Sequence, residues 1–143
     1  MHTTWRVLLV DDQTLIRSGF KLILSLEDDI EVVGEAGDGR AALEMARDLR
    51  PDIVLMDLQM PGSSGIEATQ RICTRWGEAC VVALTTFGTR DYIVAALRAG
   101  ASGYLLKDTG AQNLVAGMRQ ALRGDMPLSS SVRRQLVDSI TSE

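Results

Sequence analysis

Residues 52–57, Asp52-Ile53-Val54-Leu55-Met56-Asp57, decide the fold. Four consecutive apolar residues without polar alternation describe a strand buried on both faces, which is the condition of a parallel sheet covered by helices on each side. Val81-Val82-Ala83-Leu84 repeats the pattern. Working outward, Trp5 to Val10 is an apolar run interrupted only by Arg6, followed by Asp11-Asp12 and then a segment with helical spacing of apolar residues. Ile30–Ala36 reads as a strand and Arg40–Leu49 as a helix; Asp52–Met56 and Ser64–Trp76 form the next pair. Ala79–Thr85 with Thr89–Ala99, then Gly103–Leu106 with Gln112–Leu122, complete five strand–helix units. Each is about 20 to 25 residues long, the length a parallel crossover needs. The expected architecture is α/β, a doubly wound five-stranded parallel sheet with five flanking helices, and its ligand site should lie beyond the carboxyl ends of the strands.

The chain has 143 residues, 45% of them apolar, enough for one packed core. Fifteen Lys and Arg against 19 Asp and Glu give a net charge of -4. That balance lacks the basic footprint of a nucleic-acid-binding module. Two cysteines and one histidine cannot build a four-ligand His/Cys zinc site or a disulfide framework, which favours a reducing compartment. No apolar stretch approaches the roughly 20 residues of a membrane span, and Met1 to Arg6 has no signal-like pattern. The expectation is a soluble cytoplasmic protein without a membrane partner.

Residues 1–124 form the expected domain, and 125–143 are set apart. Gly124-Asp125-Met126-Pro127 breaks the preceding helix, and Ser129-Ser130-Ser131 offers caps for a new one over 129–140, with Val132, Leu136 and Ile140 on one face. This short helix is read as the start of an interdomain linker from a longer protein. A helix docked on its own domain, or a frayed one, fits the pattern equally well.

The strand ends carry the chemistry. Asp11 and Asp12 follow the first strand, Asp57 ends the third, Thr85 the fourth and Lys107 the fifth. Three carboxylates on one rim repel one another and raise each other's pKa unless a cation neutralises them. Oxygen-only ligands favour a hard cation, and few carboxylates with room for water suit Mg²⁺ better than Ca²⁺.

Val10-Asp11-Asp12, Met56-Asp57-Leu58-Gln59-Met60-Pro61-Gly62, Leu84-Thr85-Thr86 and Gly103-Tyr104-Leu105-Leu106-Lys107 together resemble the receiver domain of two-component response regulators. The resemblance covers roughly residues 5 to 124, with the signature positions in the family's order. It implies a flavodoxin-like fold of strand order 2-1-3-4-5. It also implies that Asp57 is the phosphoacceptor, taking a phosphoryl group from the phosphohistidine of a sensor histidine kinase. Asp12 and Asp57 would hold Mg²⁺ with the backbone carbonyl of Gln59, and Asp11 would act through a water. Lys107 and Thr85 would contact phosphoryl oxygens. Such a protein is a phosphoacceptor that promotes its own phosphorylation and dephosphorylation, not a classical enzyme. Leu84-Thr85-Thr86-Phe87 and the stretch from Ala96 to Asp108 look most like the NarL/FixJ subgroup. Its members carry a LuxR-type helix-turn-helix after a linker, so DNA binding is implied only through a C-terminal domain absent from these residues.

Tyr104 on its own reads as a half-buried strand aromatic. The resemblance makes it the switch aromatic that rotates inward when Thr85 moves toward the phosphoryl group. On the first helix, Ile16, Phe20, Ile23 and Leu24 suffice for packing, and Leu15, Leu22 and Leu26 form a second stripe. With Val115 on the last helix of the domain, they are a candidate homodimer surface; a wide buried arc is the other reading. Pro61-Gly62 reads as a turn, Cys73 and Cys80 as small buried hydrophobes, Trp5 and Trp76 as packing residues, and His2 as a terminal residue. Two other functions compete with a transcriptional switch. One is a receiver that signals by protein contacts alone. The other is an aspartyl-phosphate phosphatase of the haloacid dehalogenase type, which would require an Asp where this chain has Gln59.

Overall fold

A computed structural model describes residues 4–141 apart from 61, 62, 87, 88, 109 and 129, and the side chains of 63, 64, 130, 131 and 139–141 are likewise outside the description. His2, the Pro61-Gly62 turn, Phe87 and the Ile140 side chain therefore lie outside the described residues. Strand β1 (Trp5–Val10) leads to α1 (Thr14–Ser25), β2 (Ile30–Ala36) to α2 (Gly39–Leu49), and β3 (Ile53–Asp57) to a short antiparallel pair, β4 (Gln59–Met60) with β5 (Ser63–Ser64). Then follow α3 (Gly65–Arg75), β6 (Cys80–Thr85), α4 (Arg90–Arg98), β7 (Gly103–Leu106), α5 (Ala111–Leu122) and α6 (Ser130–Thr141). The sheet order β2-β1-β3-β6-β7, all parallel, is the expected 2-1-3-4-5. Ser64 is the one notable shift: expected at a helix start, it pairs with Gln59 in the small ribbon.

Alternation along the strands sorts the core into two layers. Leu8, Val10, Val54, Met56, Val81 and Ala83 face α2, α3 and α4. Val7, Leu9, Ile53, Leu55, Val82 and Leu84 face α1 and α5. Both faces of β3 are filled, which is why its sequence shows no polar alternation. At its end the approach of α3 is so close that a Cβ on Gly65 would sit 2.2 Å from the Asp57 carbonyl oxygen. Only glycine fits there, and its contact fixes the backbone on which Asp57 stands.

Helix α1 divides as its spacing requires. Leu24 is completely buried, Ile16, Phe20 and Ile23 are half-buried, and Leu15, Leu22 and Leu26 are 84%, 66% and 75% exposed. The second stripe is therefore not part of a wide buried arc. Val115 is half-buried at the edge of the α1/α5 layer. Cys73 and Cys80 are half-buried rather than fully enclosed, and burial pushes both thiols up, toward the unreactive form. Trp76 packs on the α2/α3 layer with the Arg50 guanidinium 5.5 Å from its ring centre. Helix α6 turns back onto the domain: Val132 is fully buried beside α4, and Leu136 packs at the margin of the same cluster. The segment is thus a helix docked on its own domain rather than a frayed one, an arrangement equally compatible with the start of a linker.

The two classes of α1 leucine give a direct test. Leu24→Ala should lower stability by about 2–4 kcal/mol through lost burial and a residual cavity. Leu22→Ala should change it by less than about 0.5 kcal/mol. Urea unfolding of both variants measures the contrast, and equal losses would contradict the layer assignment.

Candidate functional site

Strand register brings the polar strand ends to one level. Val10 pairs with Met56 and Asp57 with Leu84, while Thr85 pairs with Leu106, so Asp11, Asp57, Thr85 and Lys107 cluster at the carboxyl edge. Backbone bonds fix the loops: Asp11 N–H donates to the Ala36 carbonyl at 3.0 Å, Leu58 N–H to Leu84 at 3.1 Å, and Lys107 N–H to Thr85 at 2.8 Å. Asp11, Asp57 and Thr85 are 3%, 1% and 0% exposed, whereas Asp12 stands open to solvent.

Lys107 Nζ lies 2.9 Å from Asp11 Oδ2 and 3.1 Å from Asp57 Oδ2. Beyond this ionic contact, neither buried oxygen has a hydrogen-bond partner among the described residues. The other oxygens are held by the backbone: Asp11 Oδ1 accepts from Gln13 N–H at 2.9 Å, and Asp57 Oδ1 from Gln59 N–H at 3.0 Å. Arg17 adds a bond to the Asp11 carbonyl. The two carboxylates are thereby oriented while sharing a single ammonium.

Electrostatics follow from that arrangement. Burial pushes Asp57 above the ordinary carboxylate range; the Gln59 N–H opposes this, and the Asp11 charge adds to it. For Lys107 burial works against the charge, but Asp11 and Asp57 outweigh it and hold the ammonium protonated. Carboxylate oxygens of Asp11, Asp12 and Asp57 come within 4.8 Å of one another. Three carboxylates against one ammonium, an all-oxygen donor set and two buried oxygens whose one partner among the described residues is that shared ammonium fit a hard divalent cation.

Tyr104 is completely buried on the α4 side of β7, more deeply than a half-buried aromatic would be. Its hydroxyl shares a hydrogen bond with Thr85, and burial pushes the phenol up to about 12. Thr85 and Tyr104 are thus in contact. Two features were missed in the sequence. Thr86 Oγ1 donates to Gln59 Oε1 at 2.8 Å, which ties the ends of β6 and β4. Tyr104 N–H donates to the Pro127 carbonyl at 3.0 Å, which brings the C-terminal segment onto β7. Neither follows from periodicity, because both join segments whose proximity only the folded chain creates.

The site and fold define a class: residues 7–119 match the response regulator receiver domain, and the chain belongs to that family. Its similar relatives are NarL- and LuxR-type regulators. It is 47% identical over 120 residues to the transcriptional regulatory protein YxjL of Bacillus subtilis, covering 84% of this chain and 55% of that protein. It is 37% identical over 134 residues to the nitrate/nitrite response regulator NarL of Escherichia coli K12, covering 94% of this chain and 62% of NarL. A LuxR-family response regulator from Aurantimonas superposes with a TM-score of 0.92 at 33% identity, over 96% of this chain and 99% of that one. The chain thus spans a little over half the length of these two curated relatives, and its family role lies in two-component signalling. No helix among the described residues is long and apolar enough to cross a membrane.

The raised pKa of Asp57 has a stability consequence. A carboxyl whose folded pKa exceeds its unfolded value, about 4, stabilises the fold only while protonated, so stability is lost as pH rises from that value through the folded pKa. Asp57→Asn removes the loss. In thermal melts with a chelator present, the variant should melt above wild type at pH 7, and the gap should close toward pH 4. A gap independent of pH would contradict the assignment.

Proposed function

We propose that this chain is a phosphorylation-controlled switch in which Asp57 accepts a phosphoryl group from the phosphohistidine of a sensor kinase. The observation that carries the reading is the placement of Lys107 Nζ between Asp11 and Asp57 at the carboxyl edge, with Thr85 on the neighbouring strand. An Asp57 carboxylate oxygen attacks phosphorus, the P–N bond breaks, and the imidazole departs with the electron pair, leaving an acyl phosphate. Lys107, already charged, turns from the carboxylate to a phosphoryl oxygen, and the Thr85 hydroxyl donates to another. Mg²⁺, held by Asp12, Asp57 and the Gln59 carbonyl with Asp11 acting through water, would neutralise charge developing on the phosphoryl oxygens. Asp57 is the nucleophile and is itself the group modified, and every other protein group named acts by position and charge, so the chain is a self-assisted phosphoacceptor rather than an enzyme with a separate substrate.

The readout we propose is a homodimer. Beside the exposed leucines of α1 lies a mostly apolar groove of about 400 Å³, lined by Ile23, Leu26, Ala111, Val115 and Ala116. Arg119 at its rim is already paired with Glu27 and Asp29, so the groove presents no free charge there. Protrusion and recess on adjoining helices make the face self-complementary, as a two-fold contact demands. In a longer parent chain such pairing would bring two helix-turn-helix domains to DNA half-sites about one helical turn apart, consistent with relatives named as transcriptional regulators.

A small phosphodonor with Mg²⁺ should add one phosphoryl group to wild type and none to Asp57→Asn by intact-protein mass spectrometry. A full adduct on the Asn variant would overturn the assignment. In sedimentation velocity, beryllofluoride with Mg²⁺ should shift wild type toward dimer. Leu22→Glu should remain monomeric while still accepting the phosphoryl group, because a charge would be buried in an apolar contact. An undiminished dimer in that variant would reject the α1 surface.

A further inference from the structure

The segment after α5 runs along the free edge of the sheet. A Cβ on Gly103 would sit 2.6 Å from Pro127 Cγ and 2.9 Å from the Pro127 carbonyl oxygen, so glycine is what lets the two backbones approach. That carbonyl accepts the Tyr104 N–H at 3.0 Å, and Leu128 forms a parallel bridge with Tyr104. From there α6 folds onto α4, and Val132, with no exposed surface, enters the cluster that holds Ile93, Ala96 and Tyr104. Tyr104 is therefore engaged from two directions: its hydroxyl is bonded to Thr85 at the site, and its strand is bridged by the C-terminal segment, whose Val132 enters the same buried cluster as its ring.

We propose that the C-terminal segment, through Pro127, Leu128, Val132 and Leu136, acts as a clasp whose docking on α4 and β7 holds Tyr104 inward, so that clasp docking and phosphorylation of Asp57 stabilise each other. An outward-turned ring would leave a void beneath Val132, and the docked segment covers the strand from which that ring would swing. A docked clasp and an outward Tyr104 are incompatible packings of one cluster, which gives the two-state element a coupling needs. Thr85 connects this element to the charge at Asp57. Coupling is reciprocal, so whatever favours the inward ring favours the docked segment to the same degree. The proposal rests on the phosphoacceptor reading and deepens it by naming what the switch controls: the attachment of the C-terminal helix.

Hydrogen exchange read by mass spectrometry tests the clasp on the whole chain. With Mg²⁺ and beryllofluoride, amides of α6 in wild type should exchange about tenfold more slowly, within the usual range of coupling between sites. Val132→Ser should speed α6 exchange while leaving β1 and β3 protected, and the beryllofluoride concentration for half-saturation should rise several-fold. Gly103→Ala, which displaces Pro127 without removing an apolar group, should do the same and covers the case in which the serine variant unfolds. Beryllofluoride binding to wild type with no change in α6 exchange, or binding of unchanged strength to variants with a freed α6, would overturn the clasp alone. No binding to wild type would overturn the phosphoacceptor reading, and the clasp with it.

Discussion

Lys107 holds two buried carboxylates apart from solvent and together with each other, and the rest of the site is arranged around that contact. Its ammonium meets Asp11 and Asp57 at about ion-pair distance, while both residues are almost wholly enclosed. One positive charge is too little for three carboxylates. Burial, with the Asp11 charge adding to it, leaves Asp57 with a raised pKa, and one oxygen on each of Asp11 and Asp57 has only the shared ammonium for a partner among the described residues. A site built in this way favours the arrival of positive charge and accommodates a group that Lys107 can turn toward. The protein supplies position and field, and strand register supplies the position.

The same edge is connected to what lies beyond it. Thr85 ends β6 inside the site and touches Tyr104, which belongs to the α4 layer of the core. A shift of the hydroxyl is therefore felt where α4, β7 and α6 meet, on the face opposite to α1 and α5. Because α6 covers α4, the apolar surface left open among the described residues of the helical layers is concentrated on α1. The proposed switch would thus have two separate outlets: the attachment of the C-terminal helix on one side and the exposed leucines on the other.

Much of this was legible in the sequence for a physical reason. Strands buried on both faces must be apolar throughout, so Ile53–Met56 and Val81–Leu84 announce a covered parallel sheet, and the first polar residue after each run, Asp57 and Thr85, marks the carboxyl edge. Asp57 was found in this way, and the period of 3.6 separated the buried Leu24 from Leu22 and Leu26. What stayed hidden depends on pairs distant in sequence. The stripe through Val132 has no partner in its own neighbourhood, so docked and free helices look alike until α4 is in place. Ser64 joins a two-residue ribbon too short to leave a pattern, and the Thr86–Gln59 bond spans 27 residues between loops.

The central claim is that the carboxyl edge carries uncompensated negative charge organised for a divalent cation and a phosphoryl group. Thermal unfolding of wild type across a series of MgCl₂ concentrations, against NaCl of matched ionic strength, tests it most directly. The account predicts a melting temperature that climbs with the logarithm of Mg²⁺ concentration once the site begins to fill, as specific binding to the folded state requires, and little change in NaCl. Indistinguishable curves in the two salts would contradict it, because screening alone would then account for the charge at the site.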